Sequence, residues 1–377
     1  MAENLHHIHL EKVQPLAGFA ATDMAPQSFG WILERAFVCS DDPTFYLYSD
    51  QISKMFLKNC FVDNVYNYLI LIHRDLSADV YVNFPLQAKM MMKRAVKAGE
   101  PIYQNDIADI AELRFPGINM EEKDCVIFSF KKGWKFGLFF DLGPADREST
   151  IDIDRLFHDL GTYYRYLGFQ ELYSVIENTP LFERMFADGW FPFIQLLGGD
   201  YEELAKCYKN EIGLQDEVNR FAAKFDRQRI STFTERWWNS PIFQKKKSIL
   251  NAGIEAYLLA TETGYINCVK TLYSEIEGIV RIRYVEDRGS NPKFSQLVEY
   301  VKDKAQGKFG PRGTLGFPEE FYQYLKEPVF KNFDLQTGQV VLSRHSVSHG
   351  VADQKQYTRT KALQAILILD QMYFYLT

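Results

Sequence analysis

The hydrophobic pattern of this chain changes period once, near Gly143-Pro144, and that change limits the folds open to it. Before it, β-branched and aromatic residues recur in short runs. After it, strand signals stop and apolar residues return every three or four positions. Residues 66–73 and 79–84 are two such runs, joined by 74–78, and predict a hairpin. Residues 125–130 and 136–141 predict a second hairpin across 131–134. Helical patterns at about 48–60 and 86–97 lie around the first. The expected fold class is α+β and multi-domain. It comprises a poorly patterned lead-in over 1–29, a small mixed α/β domain over 30–146, a helical middle region over 147–244 and an all-α bundle over 245–377. Within the bundle, the expected helices lie at about 247–285 (one helix or a pair), 293–305 and 318–330, with a last one from Thr358 or Thr360.

Composition narrows the function classes. With 377 residues, 46% of them hydrophobic, the chain holds enough apolar material for two or three cores. The five cysteines, Cys39, Cys60, Cys125, Cys207 and Cys268, are odd in number and include no CxxC pair. Neither a disulfide framework nor a thiolate zinc site is expected, and a reducing, cytoplasmic setting fits. The N-terminus has no cationic start followed by an apolar run, so no signal peptide is expected, and His6, His7 and His9 read as a disordered polar terminus. The most apolar late segment, 362–376, is too short to span a bilayer and contains Asp370, so no membrane partner is expected. From Lys245 onward basic residues outnumber acidic ones, although the whole chain carries a formal net charge of −6. That bias is consistent with local anion or RNA binding.

The most concentrated set of reactive groups is Arg344-His345-Ser346-Val347-Ser348-His349-Gly350. Histidine exchanges protons near neutral pH, and arginine grips phosphate oxygens in a bidentate fork, so the chemistry suggested is phosphoryl transfer. On one helix His345 and His349 share a face, while Arg344 lies about 140° from His349. The three groups therefore converge only at a helix terminus or where two copies of the segment meet. Gly350 is placed to end the helix as its C′ residue. Asp370 projects into the stripe of Leu363, Ile366, Leu367 and Phe374, and is expected to be buried beside a cation or donor. Glu277 and Arg281 are spaced for an i,i+4 ion pair, and Arg283 falls on an apolar stripe where it too needs a partner.

Each of these residues also has a structural reading. Arg344 and His349 suit a capped pair at the edge of a core, Glu277–Arg281 a salt bridge, and Asp370 a buried structural acid. As a metal pair, His345 and His349 lack a nearby carboxylate to complete the ligand set, so no metal and no cofactor are expected. Residues 30–146 contain no glycine-rich phosphate loop, no Cys/His metal spacing and no nucleophile elbow.

The stretch from Leu342 to Gly350, with the apolar segment 360–371 close behind, resembles the R-[polar]-x3-H signature of the HEPN superfamily of small helical domains. Residues 273–279 resemble the acid-bearing helix of one branch. The likeness covers about 245–377, and residues 1–244 are not recognised as any family. It implies an all-α HEPN-like bundle and a metal-independent endoribonuclease, in a toxin or phage-defence setting, that dimerises so that two motifs line one cleft. By that resemblance Arg344, His349 and His345 are the catalytic residues, with His345 in the polar slot. Glu277, Arg281 and Asp370, singled out above by spacing and by the apolar stripe, are expected to support them. The implied partners are single-stranded RNA or a nucleotide, a second copy of the chain, and an inhibitory or sensor partner. Because some members of the superfamily have lost catalysis, a non-catalytic nucleotide- or protein-binding module is the alternative.

Overall fold

The computed structural model describes residues 5–9, 16–57, 65–146, 148–210, 212–310, 313–334 and 340–377. Contacts gather the chain into two units, Met1–Met90 with Ile110–Gln170 and Met91–Asp109 with Glu171–Thr377. This division differs from one at 146 and 244.

The first unit is built on strands β1 (Leu5–His9), β2 (Phe19–Ala20), β3 (Ile32–Leu33) and β4 (Arg35–Cys39), followed by helix α1 (Pro43–Phe56). Then come β5 (Asn67–Ile72), β6 (Ser77–Val82), β7 (Gln87–Met92), β8 (Ile107–Arg114), β9 (Cys125–Lys132), β10 (Lys135–Asp141) and helix α2 (Ile153–Gly168), with the division between the units falling within β7 and β8. Six strands form an antiparallel sheet in the order β1-β6-β5-β9-β10-β4. Both expected hairpins are present, with tighter turns than the sequence runs suggested. Alternation along the strands sends Tyr68, Ile70, Val80, Ile127, Leu138 and Phe140 against Phe45, Tyr48, Ile52 and Phe56 of α1. The intervening residues, among them Leu69, Val126, Phe128, Phe130 and Phe139, meet Leu156, Leu160 and Leu167 of α2. With both faces covered, the central strands read as continuous apolar runs.

Three expectations are corrected. The helix expected over 86–97 is strand β7, which pairs with β8. Its Ala, Lys and Met residues favour helix locally, but pairing overrides that preference. The helix expected over 48–60 begins earlier, at Pro43, because the Asp42 side chain accepts from the Thr44 amide at 2.8 Å and caps it there. Residues 1–29 are more than a lead-in, since β1 pairs with β6 and His7 within it lies 2.7 Å from Asp79. Asp79 in turn lies 3.2 Å from His73, whose other ring nitrogen is 2.7 Å from the buried Asp124. Burial opposes a charge on His73, but the hydrogen bonds to Asp124 and Asp79 prevail and raise its pKa.

The second unit is helical. It continues through α3 (Gln170–Glu177), α4 (Thr179–Ala187), α5 (Asp200–Lys209), α6 (Leu214–Ala223), α7 (Arg227–Thr234) and α8 (Pro241–Lys245). The bundle follows: α9 (Lys247–Leu258), α10 (Glu262–Arg288), α11 (Phe294–Phe309), α12 (Pro318–Tyr324), α13 (Arg344–Ser348) and α14 (Arg359–Leu376). The helix or helix pair expected over 247–285 is α9 with α10, and the last helix starts after Thr358, whose side chain accepts from the Lys361 amide. Val269, Leu272, Tyr273, Ile276 and Val280 of α10 are buried as their rhythm predicts. α10 packs on α9, α13 and α14, and α11 packs on α12 and α14. Among the described residues no helix is long and apolar enough to cross a membrane.

One glycine sets a close approach. At Gly161 of α2 an added Cβ would lie 2.6 Å from the Glu112 Cα and 2.7 Å from the Ala111 carbonyl oxygen of β8. One turn on, the buried Arg165 donates to the Ile110 carbonyl oxygen. Backbone cannot swing aside as a side chain can, so Gly161→Ala is expected to cost about 1–3 kcal/mol. Gly307, within α11, would meet nothing within 4 Å. There the same change is expected to stabilise by about 0.5–1 kcal/mol. Urea unfolding of the two variants checks the opposite signs.

Candidate functional site

The motif begins at Ser343, where the chain turns into α13. The Ser343 hydroxyl accepts from the Ser346 amide at 3.2 Å, and the Ser346 hydroxyl accepts from the Ser343 amide at 2.8 Å. This reciprocal cap holds a helix of only five residues. His349 is its C-cap, and Gly350 takes the left-handed conformation at φ 70°. The helix therefore ends where the glycine predicts.

Arg344 is held from outside its own helix. Its Nε lies 2.8 Å from one oxygen of Glu277 on α10, while the other Glu277 oxygen accepts from Arg281 at 2.8 Å. Arg281 also donates to the Pro292 carbonyl oxygen at 3.0 Å. One carboxylate, 12% exposed, thus sits between two guanidiniums. The terminal nitrogens of Arg344 make no hydrogen bond among the described residues.

The half-buried His345 ring packs edge-on to Phe294 with centroids 5.6 Å apart. Burial lowers its pKa, Arg344 and His349 push the same way, and Glu277 opposes them. A neutral imidazole at physiological pH follows. His349 is exposed, its ring 5.5 Å from that of Phe333. Neither imidazole makes a side-chain hydrogen bond among the described residues. Glu277, Arg281 and Arg344 are therefore in contact, and His345 and His349 lie within electrostatic reach of the set.

Asp370 belongs to a different network. It is 1% exposed, as its place on the stripe predicts. Both its oxygens lie 2.6 Å from Arg236 Nη2, and it accepts from the Trp237 indole at 2.7 Å and from Gln195 at 2.9 Å. Arg236 also donates to the Lys93 carbonyl oxygen, and its guanidinium sits 4.5 Å from the Phe374 ring centroid. The Lys93 side chain is buried and donates to the Leu197 carbonyl oxygen at 3.0 Å. Burial lowers its pKa to about 7, with Asp200 as the main opposing influence. Arg283 finds its partners in Asp287 at 3.5 Å and Glu286 at 3.7 Å. Sequence reasoning missed Arg236, Trp237 and Lys93. The signal at hand was an arginine followed by two tryptophans, just before the Asn-Ser-Pro break at 239–241.

Among the described residues, no group of three or more His, Cys, Asp or Glu is arranged to hold a metal ion. The chemistry open to the Arg344 cluster is anion binding by a guanidinium beside two imidazoles that exchange protons. Comparison with protein-family models, with curated proteins and with solved structures finds no match.

Two outcomes follow from the Asp370 network. Asp370→Ala leaves Arg236, 17% exposed, without its carboxylate, and is expected to cost about 3–5 kcal/mol in urea unfolding. Lys93 sets a pH dependence. The unfolded chain keeps the lysine proton up to the ordinary 10.5, whereas the folded chain releases it at about 7. Between those values the unfolded state binds more protons, so stability rises with pH by about 1.4 kcal/mol per unit from this group. Lys93→Met is expected to remove that share of the rise between pH 7 and 9. Parallel pH profiles of parent and variant would contradict the assignment.

Proposed function

We propose that the chain is a metal-independent endoribonuclease of HEPN type, acting through Arg344 and His349 on RNA phosphodiesters. The observation that carries this reading is the placement of Arg344, 25% exposed, beside Glu277 and the motif's imidazoles. Glu277 anchors its Nε, and the terminal nitrogens are left without a hydrogen bond beside two imidazoles. In the proposed reaction the 2′-OH attacks the adjacent phosphorus, the bond to the 5′-oxygen breaks, and a 2′,3′-cyclic phosphate forms. A neutral histidine takes the 2′-OH proton, a protonated one supplies the leaving 5′-oxygen, and Arg344 offsets the charge growing on the phosphoryl oxygens. His345, held neutral by burial and by Arg344, suits the base. His349 takes the acid role or, from a second copy of the chain, the complementary one. The proposed working form is a homodimer, because Arg344 and His349 diverge along the segment.

One observation favours the alternative, a non-catalytic nucleotide- or protein-binding module. Among the described residues no carboxylate accepts a hydrogen bond from either imidazole, whereas general bases are commonly held by a third group.

Purified protein in EDTA is expected to cut single-stranded RNA and leave 2′,3′-cyclic phosphate ends. His349→Ala is expected to lower the rate on the order of 10²-fold or more, with the thermal unfolding profile unchanged. Full cleavage by His349→Ala would remove the mechanism, and a strict requirement for a divalent metal would move the chemistry elsewhere. RNA binding without any cleavage would favour the binding module.

A further inference from the structure

We propose that the tip of the β9–β10 hairpin is a docking site for single-stranded nucleic acid. The surface itself gives the class, and the choice of RNA rests on the ribonuclease reading above. Lys131 faces Phe136 across the hairpin, and its amide donates to the Tyr66 carbonyl oxygen at 2.8 Å. Tyr66, Lys131 and Phe136 therefore form one row across neighbouring strands. Trp134 stands in the turn above that row. The Lys131 ammonium lies 5.9 Å from the centre of the Tyr66 ring, 5.6 Å from Phe136 and 6.0 Å from Trp134.

Two rings of this set face solvent. Trp134 is 94% exposed and Tyr66 is 58% exposed. A tryptophan in that state contributes almost no apolar burial to the fold, and its ring face is open for stacking. The charges around it are unequal in availability. Lys132 donates to the Tyr164 hydroxyl, and Lys135 pairs with Asp41 at 2.5 Å. Lys131 makes neither an ion pair nor a side-chain hydrogen bond among the described residues. A cation without an ion pair, flanked by two exposed aromatic rings, matches the repeating chemistry of a single strand, in which planar bases alternate with phosphates. A duplex hides its base faces and does not fit.

The test uses the full chain carrying His349→Ala, so that cleavage does not confuse binding. Fluorescence anisotropy with labelled 12-nucleotide oligouridine and its DNA counterpart reads the affinity. Trp134→Ala and Tyr66→Ala are each expected to weaken binding at least about fivefold, and Trp134→Phe to restore most of it. Lys131→Ala is expected to weaken binding and to lower the salt slope by about 0.7. Trp134 and Tyr66 are surface residues, and circular dichroism verifies that their variants stay folded. Equal affinity of the Trp134→Ala/Tyr66→Ala double variant and its parent overturns the proposal, as does a parent that binds neither oligonucleotide. Trp134-dependent binding to phosphatidylserine vesicles but not to oligonucleotides assigns the site to a membrane surface and also overturns it. Failures of the two readings separate. Trp134-dependent binding without cleavage by the unsubstituted chain supports this site against the nuclease. Cleavage with unchanged binding by the double variant does the reverse.

Discussion

A single buried carboxylate organises the helical unit. Asp370 lies inside α14, a helix enclosed nearly all round, where an unpaired charge would be prohibitive. Arg236, Trp237 and Gln195 satisfy it from three positions remote in sequence. α14 is thereby fixed in rotation and height, and α9, α10 and α11 pack on a helix whose placement is already decided. The net stability of such a pair is modest, because both charges gave up water to form it. Its loss is costly, because either partner alone is stranded. Lys93, buried beside Arg236, has no carboxylate within hydrogen-bonding contact among the described residues, and its burial disfavours the charged form.

The Arg344 cluster follows the same logic nearer the surface. A helix of five residues cannot hold its own geometry in water. α13 is held at one end by the Ser343–Ser346 cap and at the side by Glu277 on a helix of 27 residues. The rigidity of Arg344 is borrowed from α10.

Periodicity carried much of this. The two hairpins and α9, α10, α11 and α14 were legible because each buries one or both faces, and burial writes a period into the sequence. Strand β7 was not legible, because its Met and Lys residues speak for helix and only its partner strand decides otherwise. His7 was misjudged for the same reason, since β1 gains order from β6. Within the candidate site, the i,i+4 pair of Glu277 and Arg281 and the burial of Asp370 could be read directly. The contact of Glu277 with Arg344 and that of Asp370 with Arg236 could not. Both join residues far apart in the chain, and one sequence carries no record of such pairings.

The Asp370 pair also bears on how the protein is made. Asp370 is synthesised 134 residues after Arg236. At about 5–20 residues per second, that interval is roughly 7–27 s. Throughout it Arg236 and Trp237 lack both the carboxylate that accepts from them and the Phe374 ring on which the guanidinium rests. The last helix thus completes this network, and the speed of translation between α8 and α14 sets how long the network stays incomplete.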